Sequence, residues 1–413
     1  MEVLGRTSPG LAKRNRLSMW VAPIAFAILM SSYIGVRTWP DRLNYVGGGA
    51  FRFQVAALGI LLVGAVGVLL AGVRVSLVRS IVGNRLIWIP AIGLILAPLG
   101  IDPIDASLAA LTAFIGIASV QIIIAGAPSA DEFSRTMARR CTSILVFSLP
   151  ILVVVNGVGS RRIGQIPANQ LAKTALPALL LVLVFAETRR ERFIGFSTAT
   201  FLIVVTQSRG TALTAIAAIL VAKIYQSSTS TINRIMPVVM VGVGLVLLAI
   251  ALDMRAITDP ISTGLLLDSE TRGLGTGGSG RIDSVRAGVD LFFERPLSGH
   301  GLDSSTELAR AAGYEEIHSG LVASAVELGV AGPLIIGSVV VALWRHSRKY
   351  SDRGLGRILA AVYLVQVVIE PVFLSLGSAA GLVFVVFISA GLSGTNIKIA
   401  DRVNRTIPRT QPG

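Results

Sequence analysis

A chain of 413 residues that is 53% hydrophobic and only 15% charged, with mean hydropathy +0.73, has the composition of a multi-pass membrane protein and not of a soluble multidomain chain. Its formal net charge of +14 does not signal nucleic-acid binding, because residues 253–318 hold eleven acids against six arginines and the basic excess sits in short connectors between apolar runs. A single cysteine, Cys141, excludes an intramolecular disulfide and a cysteine-built zinc site.

The basic segment 1–16 leads into an apolar run at 17–36, long enough for a span and too long for the core of a secretion signal, so it reads as an uncleaved first helix. Further runs follow at 55–73, 86–100, 106–127, 141–159, 170–186, 193–206, 211–225, 235–252, 319–344, 358–376 and 379–392. The predicted fold is an all-α polytopic membrane protein of about twelve transmembrane helices. Nine of them fall in a membrane domain at 17–252 and three in another at 319–394. The runs at 193–206 and 211–225 are short and separated only by Gln207, Ser208, Arg209 and Gly210; fusing them would invert every later segment. With the N-terminus in the cytoplasm, inner segments carry 24 Lys and Arg and outer ones 12, half of those in the long loop that short-loop counting discounts. Both termini are therefore expected inside, with 395–413 as a basic tail, and Arg209 and the loop 253–318 outside.

Within that loop, Ile282, Val285, Val289, Phe292 and Phe293 recur at helical spacing up to Pro296, which predicts an amphipathic helix over Arg281–Glu294. Ser304-Ser305-Thr306-Glu307 has the form of a capping box, with Gly313 closing the short helix it opens and Gly299-His300-Gly301 as the turn between the two. The loop is expected to fold onto the membrane surface.

Candidate chemistry gathers near this loop. Arg209 stands where two apolar runs meet: it either snorkels at the boundary or uses its planar fork to bind phosphate. Arg281 and Arg286 project about 140° apart on a helix, and pairing with Asp283, Asp290 or Glu294 is the alternative to a substrate role. His318, at the start of an apolar run, is either a boundary residue or the natural general base at neutral pH. Glu327 would lie about 13 Å further along a straight helix, too far to orient His318, and is expected to pair with a cation such as arginine. The glycines of 273–278 match a dinucleotide pattern but follow no strand, so they read as a hinge. Asp268 and Glu270 are a weak cation pair, and His346 sits in an inner basic connector facing anionic lipid.

Four segments, taken in order, carry a resemblance. His318-Ser319 is followed after nine residues by Gly329-Val330-Ala331-Gly332; Ser208-Arg209-Gly210 opens a run; Gly280-Arg281 leads to Pro296, Gly299 and Gly301; Arg161-Arg162-Ile163-Gly164 leads to Pro167, Asn169, Gln170 and Leu171. Together they resemble the O-antigen ligase and polymerase family of bacterial membrane glycosyltransferases. The chain departs from the family pattern by Ala168, inserted between Pro167 and Asn169, and by Asp283, Ser284 and Val285, where many members carry an aromatic residue. The resemblance implies glycan transfer from a polyprenyl-diphosphate carrier to a hydroxyl of lipid A–core, of another lipid-linked unit or of a protein, at the external face of the cytoplasmic membrane. It implies His318 as base, Arg209 and Arg281 as diphosphate-binding groups, and Arg286 and Arg161 (or Arg162) as further ones. Neither a cofactor nor a metal is expected if arginines hold the diphosphate, and the first external loop at 37–52 offers only Asp41 as an acid. Expected partners are the lipid-linked glycan donor, a glycan or lipid-glycan acceptor and membrane lipids, with no nucleic acid. The competing class is a transporter or flippase of lipid-linked or anionic substrates, for which only Lys173, Glu327 and Glu370 would supply intramembrane charge, with no correspondence between halves.

Overall fold

The computed structural model describes residues 9–35, 49–71, 81, 83–156, 158–159, 162–163, 168–206, 208–227, 281–314, 316–350, 355–370 and 378–393. The expected span at 235–252, Arg161, Asp268, Glu270 and the glycines of 273–278 lie outside the described residues. Three helices are long and apolar enough to cross a membrane, over Arg52–Leu70, Pro103–Gly126 and Ala130–Val155. Shorter apolar helices accompany them, so this is a membrane protein that among the described residues is all-helical apart from one two-residue strand pair.

In chain order, α1 (Pro9–Gly35) packs along α2 (Gly49–Leu70). The run at 86–100 forms α3 (Trp88–Leu96) between two 3-10 turns, one of them containing Pro98. α4 (Pro103–Gly126) starts where Asp102 Oδ1 accepts from the N–H of Ile104 and Asp105, with Pro103 in the first turn, whose N–H would have no helical partner anyway. α5 (Ala130–Asn156) is followed by strands β1 (Val158–Gly159) and β2 (Arg162–Ile163), paired antiparallel. The run at 170–186 is divided into α6 (Ala168–Lys173) and α7 (Leu176–Leu180), the latter extended by a π turn at Leu181–Phe185. Pro177 explains the division, since it lacks the N–H that a continuous helix needs and is tolerated only in a first turn.

The short runs at 193–206 and 211–225 are two separate helices, α8 (Arg189–Thr206) and α9 (Arg209–Ser227). Ser208 caps α9: its carbonyl accepts from Ala212 N, and its Oγ lies 3.4 Å from Thr211 N. After the long loop come α10 (Arg281–Glu294), α11 (Ser304–Ala311), α12 (Gly320–Leu328), α13 (Ala331–Tyr350), α14 (Leu355–Ile369) and α15 (Ala379–Ser393). The expected single run at 319–344 is thus two helices, broken at Gly329-Val330.

α15 is the central pillar, apolar on all sides and buried along nearly its whole length, the expected state of a helix with no polar face. It touches α1, α4, α5, α6, α7, α13 and α14. Its polar residues Ser389 and Ser393 are used: Asn84 Nδ2 donates to Ser389 Oγ at 2.9 Å and to Gln121 Oε1 at 3.1 Å, and Gln121 Nε2 donates to Ser393 Oγ at 2.7 Å. With no water inside a bilayer, this closed network spares three helices the cost of orphaned polar groups. Toward the cytoplasmic end of the predicted topology, Arg139 binds Glu187 at 2.8 Å and Glu191 at 2.9 Å, and Arg140 lies 3.5 Å from the centre of the Trp20 ring, tying α5 to α8 and α1.

Candidate active site

The site is built from the two ends of α12. At the C-terminal end the helix stops because Gly329 takes φ +61°, a left-handed conformation natural to glycine. The turn that carries Pro296, Gly299 and Gly301 docks on this break through main-chain atoms alone. His300 N donates to Val326 O at 2.8 Å, Gly301 N to Glu327 O at 3.0 Å, and Val330 N to Pro296 O at 2.8 Å. The approach is too close for side chains: a Cβ on Gly299 would stand 2.3 Å from Glu327 O, and one on Gly329 2.6 Å from Leu297 O. Two glycine motifs far apart in sequence therefore form one joint, and it satisfies the carbonyls and N–H groups that a broken helix leaves free. His300 is part of the joint, buried, with Nε2 donating to Leu291 O at 2.8 Å.

Among the described residues Glu327 pairs with no arginine, which corrects the sequence expectation. Its buried carboxylate accepts from Ser305 Oγ and from the main-chain N–H of Asp303 and Ser305, so it caps α11. The capping box over Ser304–Glu307 is correspondingly absent: the cap residue is Asp303, at φ 71°, and Ser304 Oγ turns to Gly301 O. A neutral hydroxyl and two N–H groups solve the burial of this carboxylate as hydrogen-bond donors, without a second buried ion. The other end of α11 follows expectation. Gly313, at φ +87°, donates to Arg310 O, and Tyr314 N donates to Ala309 O, the double bond of a Schellman close.

At the N-terminal end of α12 stands His318, with its side chain 17% exposed. Ser319 caps the helix, its Oγ accepting from Val322 N. The expected helix over Arg281–Glu294 is present with those bounds, but its packed face differs from the predicted stripe. Ser284 and Gly288 are buried while Phe293 is 70% exposed. Small residues win because they let α10 approach α12 closely: a Cβ on Gly288 would stand 2.7 Å from Val322 and 3.1 Å from Ile317. Leu291 and Phe292 complete a small apolar core with Ile317, Ala323 and Val326. This packing brings Ser284 to His318, whose N–H lies 3.4 Å from Ser284 Oγ. Arg281, first residue of α10, is one helical turn before Ser284. Arg286 lies on a half-exposed side of α10, with Asp283 at 3.9 Å.

Arg209 is the first residue of α9, and a second set of contacts joins that start to His318. Gly320 N donates to Glu370 O at 3.0 Å, while a Cβ on Gly210 would stand 3.3 Å from Glu370 Oε1. Glu370 and Lys173, both buried, form an ion pair of 3.4 Å. Beside it a gap of about 20 Å3, bordered by Lys173, Thr211, Thr214 and Gln366, has room for about one water. Gln366 Nε2 donates to Thr214 Oγ1 at 2.7 Å. The pairing of Lys173 with Glu370 had only one sequence signal, namely charge inside apolar runs, and the part played by Ser284 had none. The helix starts that carry Arg209, Arg281 and His318 are thus linked through contacts of neighbouring residues, Ser284 with His318 and Glu370 with Gly320 and Gly210, while Arg161 lies outside the described residues. Among the described residues no group of three His, Cys, Asp or Glu is arranged to hold a metal.

No curated protein matches the sequence. Residues 194–337, which include Arg209, Arg281, Arg286, His318 and both halves of the glycine joint, match the family model described as O-antigen ligase. The chain is a membrane protein whose residues 194–337 are similar to the O-antigen ligase family, a likeness that supports a glycosyltransferase-like role in polysaccharide assembly.

Proposed function

We propose that this protein moves a glycan from a polyprenyl-diphosphate carrier to an acceptor hydroxyl at the external face of the bacterial cytoplasmic membrane, as an O-antigen ligase or surface-polysaccharide polymerase. The observation that carries the reading is the linkage of three helix starts: Arg209 on α9, Arg281 on α10 and His318 before α12, joined through Glu370 and Ser284. Helix N-termini favour anions, because their free N–H groups and the helix dipole present positive charge, and an arginine heads each of the first two. A diphosphate is already a good leaving group, so the protein's task is to stabilise its growing charge and to hold the nucleophile in line.

In this mechanism an acceptor oxygen attacks the anomeric carbon with its lone pair while the bond from that carbon to the phosphate oxygen breaks. The electron pair leaves with the diphosphate, held by Arg209 and Arg281 with Arg286 and Arg161 in support. His318 takes the acceptor's proton, and the anomeric centre inverts. No metal or cofactor enters. The topology that suits this chemistry has about twelve spans, both termini in the cytoplasm and the 253–318 loop outside, over the site.

The test is glycan transfer from a lipid-linked donor in proteoliposomes. His318→Ala is expected to lower turnover by about 100-fold to 10,000-fold, the usual worth of a positioned acid-base group, and Arg209→Ala is expected to weaken both donor binding and turnover. Near wild-type turnover in both, with intact expression, would overturn the assignment. Retention of lipid-linked transport across the bilayer by the His318 variant, with no transferase activity in wild type, would favour the flippase reading instead.

A further inference from the structure

We propose that Glu316 is the positioning carboxylate of His318, holding the imidazole in the tautomer and orientation that leave Nε2 to accept the acceptor's proton; this rests on the transferase reading above. A neutral imidazole carries one N–H and one acceptor nitrogen, so Nε2 serves as base only while the proton sits on Nδ1. His318 Nδ1 is shut off from solvent and makes no aligned hydrogen bond among the described residues. Glu316 Oε1 stands 3.2 Å from it, at the long limit for N–H···O. The pair is thus in reach but off line, as catalytic hydrogen bonds often are before substrate is bound. Glu316 is about a third exposed, with its side chain at 36%, so its carboxylate has room to turn those few degrees when the site fills.

Three further carboxylates on the surrounding helices have other partners among the described residues. Glu327 is at the far end of α12 and caps α11, Glu370 pairs with Lys173, and Asp283 on α10 faces Arg286. Main-chain contacts fix the histidine's own backbone on both sides, through Ser284 to His318 N and through Glu370 to Gly320 N, so the ring needs only one further restraint. A carboxylate on Nδ1 supplies it and also stabilises the imidazolium formed when Nε2 takes the proton, the logic of a carboxylate–histidine pair. The plain alternative is an exposed ion pair of no catalytic consequence.

Glu316→Gln, Glu316→Ala and Glu316→Asp, each checked for folding by thermal melting, decide between these with His318→Ala as reference. Glu316→Gln removes the charge at nearly constant shape. It is expected to lower kcat on the order of tenfold to 100-fold with donor KM little changed, because the ring loses the acceptor that holds its tautomer. Glu316→Ala is expected to lose at least as much, and Glu316→Asp to recover part. Wild-type kcat in Glu316→Gln, alongside an inactive His318→Ala, would overturn the role of Glu316 and leave the transferase reading standing. An active His318→Ala would overturn both.

Discussion

Removing one member of the Lys173–Glu370 pair is the most direct perturbation of the linked helix starts. Both side chains are nearly closed to solvent, at 2% and 3% exposure, with 3.4 Å between charges. Lys173→Met leaves a carboxylate in an apolar interior without its cation, and Glu370→Met leaves the ammonium; each is expected to destabilise the fold by about 3–5 kcal/mol. At about 2 °C per kcal/mol for a chain at the large end of the usual range, the apparent melting temperature falls on the order of 6–10 °C. Replacing both together removes both buried charges, so the double variant is expected to recover most of the loss. Cys141 provides the readout, since it is the single cysteine, fully buried in α5, and a thiol-reactive fluorogenic dye in nanodiscs reaches it only on unfolding. Turnover should fall in both single variants, because Glu370 also holds Gly320 through its carbonyl and lies against Gly210. Single variants that melt within about 2 °C of wild type, a shift worth only about 1 kcal/mol, or a double variant no better than the singles, would refute this account.

Two glycines separate backbone strain from steric exclusion. Gly313→Ala, at φ +87° with open space around it, is expected to cost about 1–2 kcal/mol. Gly329→Ala at φ +61° must in addition push the Pro296–Leu297 main chain away, and is expected to open the joint so that proteases cleave near residues 296–301. Equal protease resistance in the two variants would contradict the docking described. Asp303→Asn should change the pH dependence of stability. Partial burial, and next the Asp105 carboxylate, hold the Asp303 carboxyl above its usual range despite Arg310. A folded-state pKa above the unfolded one means that stability falls as pH rises through that interval. The asparagine variant should therefore be the more stable of the two at neutral pH, with a flatter melting curve between pH 4 and 7 (about the span over which a raised carboxyl titrates); a steeper curve would reverse the sign assigned to Asp303.

Much of the architecture was legible because it depends on local patterns. Hydropathy identified the apolar helices, helical spacing and Pro296 bounded α10, and Gly313 marked the close of α11. The charge-bearing interruption Gln207–Gly210 separated α8 from α9 through a serine cap that any reader of helix starts would recognise. What escaped depended on neighbours distant in sequence. The stretch 319–344 reads as one run because Gly329 has no local reason to adopt a positive φ; the reason is the main chain of 296–301 docked against it. The face of α10 was misread because an apolar stripe is a weaker guide than two small residues when the partner helix approaches this closely. Glu327 found hydroxyl and main-chain donors instead of arginine, a choice that only the fold of α11 makes available. The contacts of Ser284 with His318 and of Glu370 with Gly320 and Gly210 had no signal in the order of the motifs, because they join segments distant in sequence.

The position of α15 in the chain has a consequence for biogenesis. Every helix packed around this pillar is made before it, so each must enter the bilayer and wait with its inward face uncovered. Until α15 arrives, Asn84 and Gln121 lack the two serine hydroxyls that complete their network, and lipid or a neighbouring protein must stand in for a helix not yet synthesised. Insertion of this helix is therefore the step that turns a loose assembly of spans into a closed bundle, and a ribosome stalled before residue 379 releases a chain whose core is still open.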